Sequence, residues 1–104
     1  VIGKSLASAA APLVAERALP AIWLTPLLNR AEVVEALGAA TAPALLVGSP
    51  ADPAWGHGRV PSGPEVLELE DLDHSLQVEG NPLASLHVLR AVTERIGVFL
   101  ERLG

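Results

Sequence analysis

The sequence predicts an α/β domain built on a parallel sheet, with crossover helices on both faces. Three observations lead to this fold class. Short apolar blocks alternate with helical patterns along the 104 residues. The inner blocks are apolar throughout, as strands buried on both faces are. Half of the residues are hydrophobic and only 18% are charged, which is typical of a folded chain and not of a disordered one.

The expected strands are short apolar runs that end at turn residues. They cover residues 1–2, 21–25, 44–47 and 65–70, and the last of them partly alternates as an edge strand does. A loop rich in Gly and Pro follows the third strand over residues 50–64. Since strands alternate with helical segments, the strands are expected to be parallel and joined by crossover helices.

Helices are expected at residues 5–19, 29–38 and 83–103. Pro12 kinks or restarts the first of them, because proline lacks an N–H and clashes with the preceding turn. Asn29 is the expected N-cap of the second, and Gly38 its closing residue. Apolar residues on one stripe predict that the last helix packs on the sheet. They are Leu86, Leu89, Val92, Ile96, Phe99, Leu100 and Leu103.

Composition excludes several classes of function. Twelve carboxylates stand against seven Lys and Arg, and nucleic-acid binding needs clustered cations. The absence of cysteine excludes disulfides, thiolate metal sites and cysteine nucleophiles, and it fits a cytoplasmic location. No apolar stretch reaches the ~20 residues of a membrane span, and the start does not read as a signal peptide. No metal site is expected either, because His57 and His74 have no third ligand at metal spacing.

The chain begins within an apolar run that is typical of the end of a strand, not of its start. We therefore expect residues 1–104 to be a partial domain whose N-terminal strands are absent. An apolar first strand without a neighbour leaves an open edge, and open edges invite pairing with other chains. Self-association through the edge at Val1 is the corresponding expectation.

Ser5 is the candidate nucleophile, in the stretch Gly3-Lys4-Ser5-Leu6-Ala7 between a strand end and a helix. A nucleophile turn needs small residues on both sides of the serine, because the strand-to-helix bend is tight. The N–H of Leu6 would then supply one half of an oxyanion hole. Two alternatives remain open, an ordinary N-cap serine and the end of a phosphate-binding loop.

Asp52 and His74 each follow a later strand. A carboxylate after a parallel strand can hold the imidazole tautomer and stabilise the imidazolium. Histidine is the usual general base near neutral pH. The alternatives are an ordinary turn aspartate before Pro53 and a histidine in a surface loop. The order serine, acid, histidine along the chain distinguishes one kind of triad from the others.

With these motifs the chain resembles the C-terminal half of the α/β-hydrolase family. The nucleophile turn around Ser5, residues 43–53 with Asp52, residues 73–76 with His74 and the last helix carry the resemblance. The chain is most similar to dienelactone-hydrolase-like or serine-esterase-like members. The resemblance implies a Ser5–His74–Asp52 triad, no cofactor, and a family oxyanion loop that lies outside this chain.

The resemblance also implies a serine hydrolase that forms an acyl-enzyme. Residues 26–28 leave no room for a lipase-type lid, so a small soluble carboxylic ester, thioester or lactone is the expected substrate. Family members often place substrate-facing groups where Trp55 lies, so Trp55 is a candidate for substrate binding. The alternative is a non-catalytic hydrolase-fold binding module or an inactive fragment, since a fold does not guarantee an activity.

Overall fold

Four parallel strands form one sheet in the computed structural model, which describes residues 1–104. The strands lie side by side in chain order. They are β1 (Ile2–Lys4), β2 (Ala21–Leu24), β3 (Ala44–Gly48) and β4 (Glu65–Glu68). The register pairs Gly3 with Trp23, Trp23 with Leu46 and Leu46 with Val66. The predicted parallel α/β sheet is confirmed, and the carboxyl ends of all four strands meet at one edge.

A 3-10 helix (Ser5–Ala10) and α1 (Ala11–Glu16) replace the single helix expected from residues 5–19. Pro12 lies in the first turn of α1, where its missing N–H breaks no helical hydrogen bond. The proline therefore restarts the helix, which was one of the two predicted outcomes.

The remaining helices are α2 (Ala31–Ala39), α3 (Pro53–Gly56) and α4 (Pro82–Leu103). The predicted cap of α2 was wrong. Arg30 is its N-cap, without a side-chain hydrogen bond, and Gly38 lies inside the helix. The prediction missed α3, because a single turn within a Gly/Pro-rich loop has no apolar periodicity. None of these helices combines the length and the hydrophobicity of a membrane span.

Two apolar clusters sandwich the sheet. On one face Trp23 and Leu46 pack with residues of α1, α2 and α3. On the other face Ile22, Leu45 and Val47 pack with α4. Helices thus cover both faces as predicted, but every crossover lies on the first face, and α4 covers the second face alone.

The buried side of α4 differs from the predicted stripe. Val92 and Phe99 are buried and Ile96 is half-buried, whereas Leu86 and Leu89 are 62% and 61% exposed. A single helix rests on only part of a four-stranded sheet, since a helix is about 10 Å wide and strands are about 4.8 Å apart. A groove of about 740 Å³ lies beside α4 and is lined by α4, by the loop 73–81 and by Lys4 and Leu24 at the ends of β1 and β2.

Candidate active site

Ser5 occupies a sharp turn at the carboxyl end of β1. Lys4 is extended (φ −124°, ψ 135°), and Ser5 has φ 52°, in the left-handed region that non-glycine residues seldom adopt. A Cβ on Gly3 would lie 2.5 Å from Cζ3 of Trp23 and 3.4 Å from Cβ of Ala7. Glycine is therefore needed at position 3, because the turn packs directly on the Trp23 ring, whereas Ala7 is exposed.

A buried serine, Ser8, fixes this turn from behind. Its hydroxyl donates to the carbonyl oxygen of Ser5 at 2.7 Å and accepts the N–H of Leu27 at 3.0 Å. The turn after β1 is thereby tied to the loop after β2. Ser8 was missed in the sequence, where it is one small residue in an alanine-rich segment.

Asp52 lies in the loop after β3 and is buried. Its Oδ1 accepts the N–H of Ala54 at 3.0 Å, which caps α3. Its backbone N–H donates to the carbonyl of Ser49 at 3.0 Å, which closes the turn. Asp52 is therefore held by its backbone N–H and by Oδ1, and Oδ2 is left for His74.

His74 lies in the loop after β4, on a turn built by its neighbour. The Asp73 carboxylate accepts the N–H groups of Ser75 and Gln77, at 2.8 and 3.0 Å. The imidazole side chain is 41% exposed, whereas that of Asp52 is 2% exposed. The imidazole is accessible from solvent and the Asp52 carboxylate is not.

The three side chains that the sequence predicts as a triad are linked in series, with His74 in contact with Asp52 on one side and Ser5 on the other. Nδ1 of His74 is 2.7 Å from Oδ2 of Asp52, and Nε2 of His74 is 2.5 Å from Oγ of Ser5. A carboxylate only accepts hydrogen bonds, so the proton of the neutral imidazole belongs on Nδ1. Nε2 then accepts the Ser5 hydroxyl proton, which is the orientation a general base requires.

The contacts also answer the simpler alternatives. Lys4, not Ser5, is the N-cap of the 3-10 helix, so Ser5 does not serve as a cap. Asp52 does occupy a turn before a proline, but it bonds His74 as well.

Leu6 follows Ser5 in the first turn of the 3-10 helix, where backbone N–H groups have no partner inside the helix. Its N–H therefore lies next to Ser5 without a partner inside the helix.

Trp55 is not in a position to contact substrate, and this expectation is corrected. Its side chain is buried against Gly48, where a Cβ would overlap the indole ring. Its Nε1–H donates to Glu68 at 2.7 Å. The Trp55 side chain thus packs into the core between α3 and β3. No group of three or more His, Asp and Glu side chains in the structure could hold a metal ion.

Comparison with protein-family models, with curated proteins and with solved structures gave no significant match to this chain. The functional argument therefore depends on the geometry of Ser5, His74 and Asp52 and on the elements that hold them.

Proposed function

We propose that this chain carries the catalytic triad of a serine hydrolase with an α/β-hydrolase fold. The observation that supports the proposal best is the pair of contacts from Ser5 Oγ to His74 Nε2 and from His74 Nδ1 to Asp52 Oδ2, at 2.5 and 2.7 Å. The three residues follow three separate strands, β1, β3 and β4, and the two contacts join residues 69 and 22 positions apart in sequence. Catalytic groups on loops at the carboxyl edge of a parallel sheet are typical of α/β enzymes.

The proposed reaction starts with proton transfer from Ser5 to His74. As Nε2 takes the hydroxyl proton, Oγ attacks the acyl carbon and the carbonyl oxygen becomes an oxyanion. The Leu6 N–H donates a hydrogen bond to this oxygen. The imidazolium then gives its proton to the departing oxygen or sulfur, which leaves an acyl-enzyme ester on Ser5.

Water completes the cycle with the same residues. His74 takes a proton from water, the resulting hydroxide attacks the acyl carbon, and the Ser5 oxygen leaves and regains its proton from His74. Asp52 stays ionised throughout. It holds the Nδ1–H tautomer and stabilises the imidazolium that forms twice in each cycle.

The strained backbone of Ser5 supports a functional role for this residue. A left-handed conformation at a residue with a side chain costs roughly 1–3 kcal/mol and tends to occur at active sites. Here the Trp23 ring under Gly3 and the Ser8 hydroxyl behind the turn maintain it. The conformation directs Oγ towards His74 instead of into the helix.

The proposed substrate is a small soluble carboxylic ester, thioester or lactone. Only residues 25–30 connect β2 to α2. A connection this short cannot form a large lid at that place over the carboxyl edge of the sheet. The proposed site is therefore open on this side, which suits compact substrates that need no interfacial activation.

A fluorophosphonate probe tests the nucleophile directly, because it reacts with an activated serine and not with ordinary hydroxyls. The wild-type protein is expected to take one label, and Ser5→Ala is expected to take none. Ser62→Ala, which changes an exposed serine in the loop before β4, should label like the wild type.

The same three proteins are then assayed with short-chain aryl esters, an aryl thioester and a lactone. Activity that survives in Ser5→Ala would refute the nucleophile. A wild-type protein that takes no label and hydrolyses none of these compounds would favour the non-catalytic binding module instead.

A further inference from the structure

Ser49 is a fully buried polar side chain next to the proposed triad, and the reaction described above does not use it. It is the first residue after β3 and has no exposed surface. Its Oγ accepts the N–H of Leu72 at 3.1 Å and that of Ala51 at 3.3 Å. Ala51 precedes Asp52 directly, and Leu72 lies two residues before His74. One hydroxyl oxygen therefore joins the loop of the acid to the loop of the base.

The Ser49–Leu72 hydrogen bond lies just beyond the end of the β3–β4 pairing. The last backbone bond between the β3 and β4 sides is from the Leu69 N–H to the Gly48 carbonyl, at 2.9 Å. Beyond it, only Ser49–Leu72 and Asp52–His74 connect the two loops by hydrogen bonds. Without the first of these bonds, the imidazole–carboxylate contact would be the only hydrogen bond left between the two loops, although Trp55 still bonds Glu68 in β4.

The backbone next to Leu72 needs such support. Asp71 has φ 58°, again in the left-handed region, and it carries a side chain. Such a conformation persists where surrounding contacts determine it. Leu72 is buried and its N–H is bonded to Ser49, so the residue after the strained position is fixed at both side chain and backbone.

We propose that Ser49 is a positioning residue that sets the approach of His74 to Asp52 by holding the Leu72 amide. The inference rests on the proposed hydrolase function. A displacement of about 1 Å in a catalytic group can lower a rate by about 10²-fold. Loss of the Ser49 acceptor is therefore expected to lower kcat and to leave KM nearly unchanged, because the substrate does not touch this buried side chain.

The test compares Ser49→Ala, Ser49→Thr and Ser85→Ala. Threonine keeps the accepting oxygen, and alanine removes it. Ser85 is the matched control, because its hydroxyl also accepts a backbone N–H in the loop of His74, that of Val78 at 3.0 Å, but beyond the turn that the Asp73 carboxylate closes around His74. Measurements are made well below the melting temperature of each variant, recorded by circular dichroism.

Three quantities are measured on each protein. They are kcat and KM on the best ester, the exchange rate of the Leu72 amide hydrogen, and the NMR signal of the His74 Nδ1 proton. In Ser49→Ala we expect kcat to fall about 10- to 100-fold, Leu72 exchange to accelerate at least about 10-fold, and the Nδ1 proton signal to broaden. Ser49→Thr and Ser85→Ala should remain close to the wild type in all three.

Two results would overturn the proposal. One is a wild-type kcat and a sharp Nδ1 proton in Ser49→Ala despite fast exchange at Leu72. The other is an equal loss in Ser49→Thr and Ser49→Ala, which would assign the effect to packing. If the wild type shows no hydrolysis, the proposed function fails. The Leu72 and Nδ1 signals then still decide whether Ser49 holds the histidine.

Discussion

Nδ1 of His74 lies 2.7 Å from Oδ2 of Asp52, and the other oxygen of the same carboxylate caps α3. One buried side chain therefore orients the His74 imidazole and begins a helix. The two roles can be separated by substitution to asparagine. The amide oxygen can accept the Ala54 N–H as Oδ1 does, but the NH₂ group cannot accept the Nδ1–H of His74 as Oδ2 does.

Asp52→Asn should abolish most activity with little effect on folding. Its amide oxygen can still accept the Ala54 N–H, while its NH₂ group faces Nδ1 and favours the tautomer with the proton on Nε2. That tautomer cannot accept the Ser5 proton, so kcat is expected to fall by about 10⁴-fold. Steady-state kinetics and a urea titration measure the two effects.

Asp52→Ala is the matched comparison for the cap. It should lose the same activity and, in addition, about 0.5–2 kcal/mol of unfolding free energy. Equal stability of the Asn and Ala variants would show that the Ala54 bond contributes nothing.

His74→Ala should lower kcat by about 10²–10⁴-fold, because the proton acceptor for Ser5 is lost. The fold should survive, since the side chain is 41% exposed and lies in a loop. Circular dichroism melting checks the fold, and His57→Ala, an exposed histidine in the preceding loop, is the control. Global unfolding of the His74 variant would contradict this placement.

Gly48→Ala and Gly97→Ala should change stability in opposite directions. A Cβ at Gly48 overlaps the buried Trp55 ring, and overpacking of this kind costs typically 1–3 kcal/mol. A Cβ at Gly97, within α4, has nothing within 4 Å. There alanine should stabilise the fold by roughly 0.5–1 kcal/mol through helix propensity. Urea unfolding of both variants is the measurement, and a neutral Gly48→Ala would refute the packing described for Trp55.

The protein should self-associate through the free edge of β1. Val1 and Ile2 are 55% and 63% exposed there, and an apolar open edge is a template for strand pairing. Ile2→Lys should shift sedimentation towards the monomer, because a charged side chain on an edge strand opposes pairing. Leu13→Lys, at an exposed apolar site on α1, should not. A wild-type chain that sediments as a monomer at every concentration would contradict this prediction.

The sheet and the meeting of Ser5, Asp52 and His74 could be predicted because both depend on strong local signals. Uninterrupted apolar runs indicate buried parallel strands, and parallel strands bring the residues that follow them to one edge. Ser5 and Asp52 each follow such a run, and His74 follows the partly alternating edge strand β4. Their meeting in space was therefore implied by the order of the elements.

Other features depend on contacts that sequence patterns do not contain. The buried side of α4 is set by where the sheet ends, so Leu86 and Leu89 are exposed although they continue an apolar stripe. Trp55 turns into the core because Gly48 leaves room for its ring. Ser49 gains its partner Leu72 only once two loops, 23 residues apart in sequence, lie side by side.

Because the strands lie in the order in which they are translated, the sheet can grow in one direction as the ribosome releases the chain. Each new strand docks on the one made before it, and domains commonly fold from the N-terminal side during synthesis. Ser5 and Asp52 emerge first, and the imidazole arrives with the last strand. Under the proposed function, a nascent chain would have no hydrolase activity until its final third has docked.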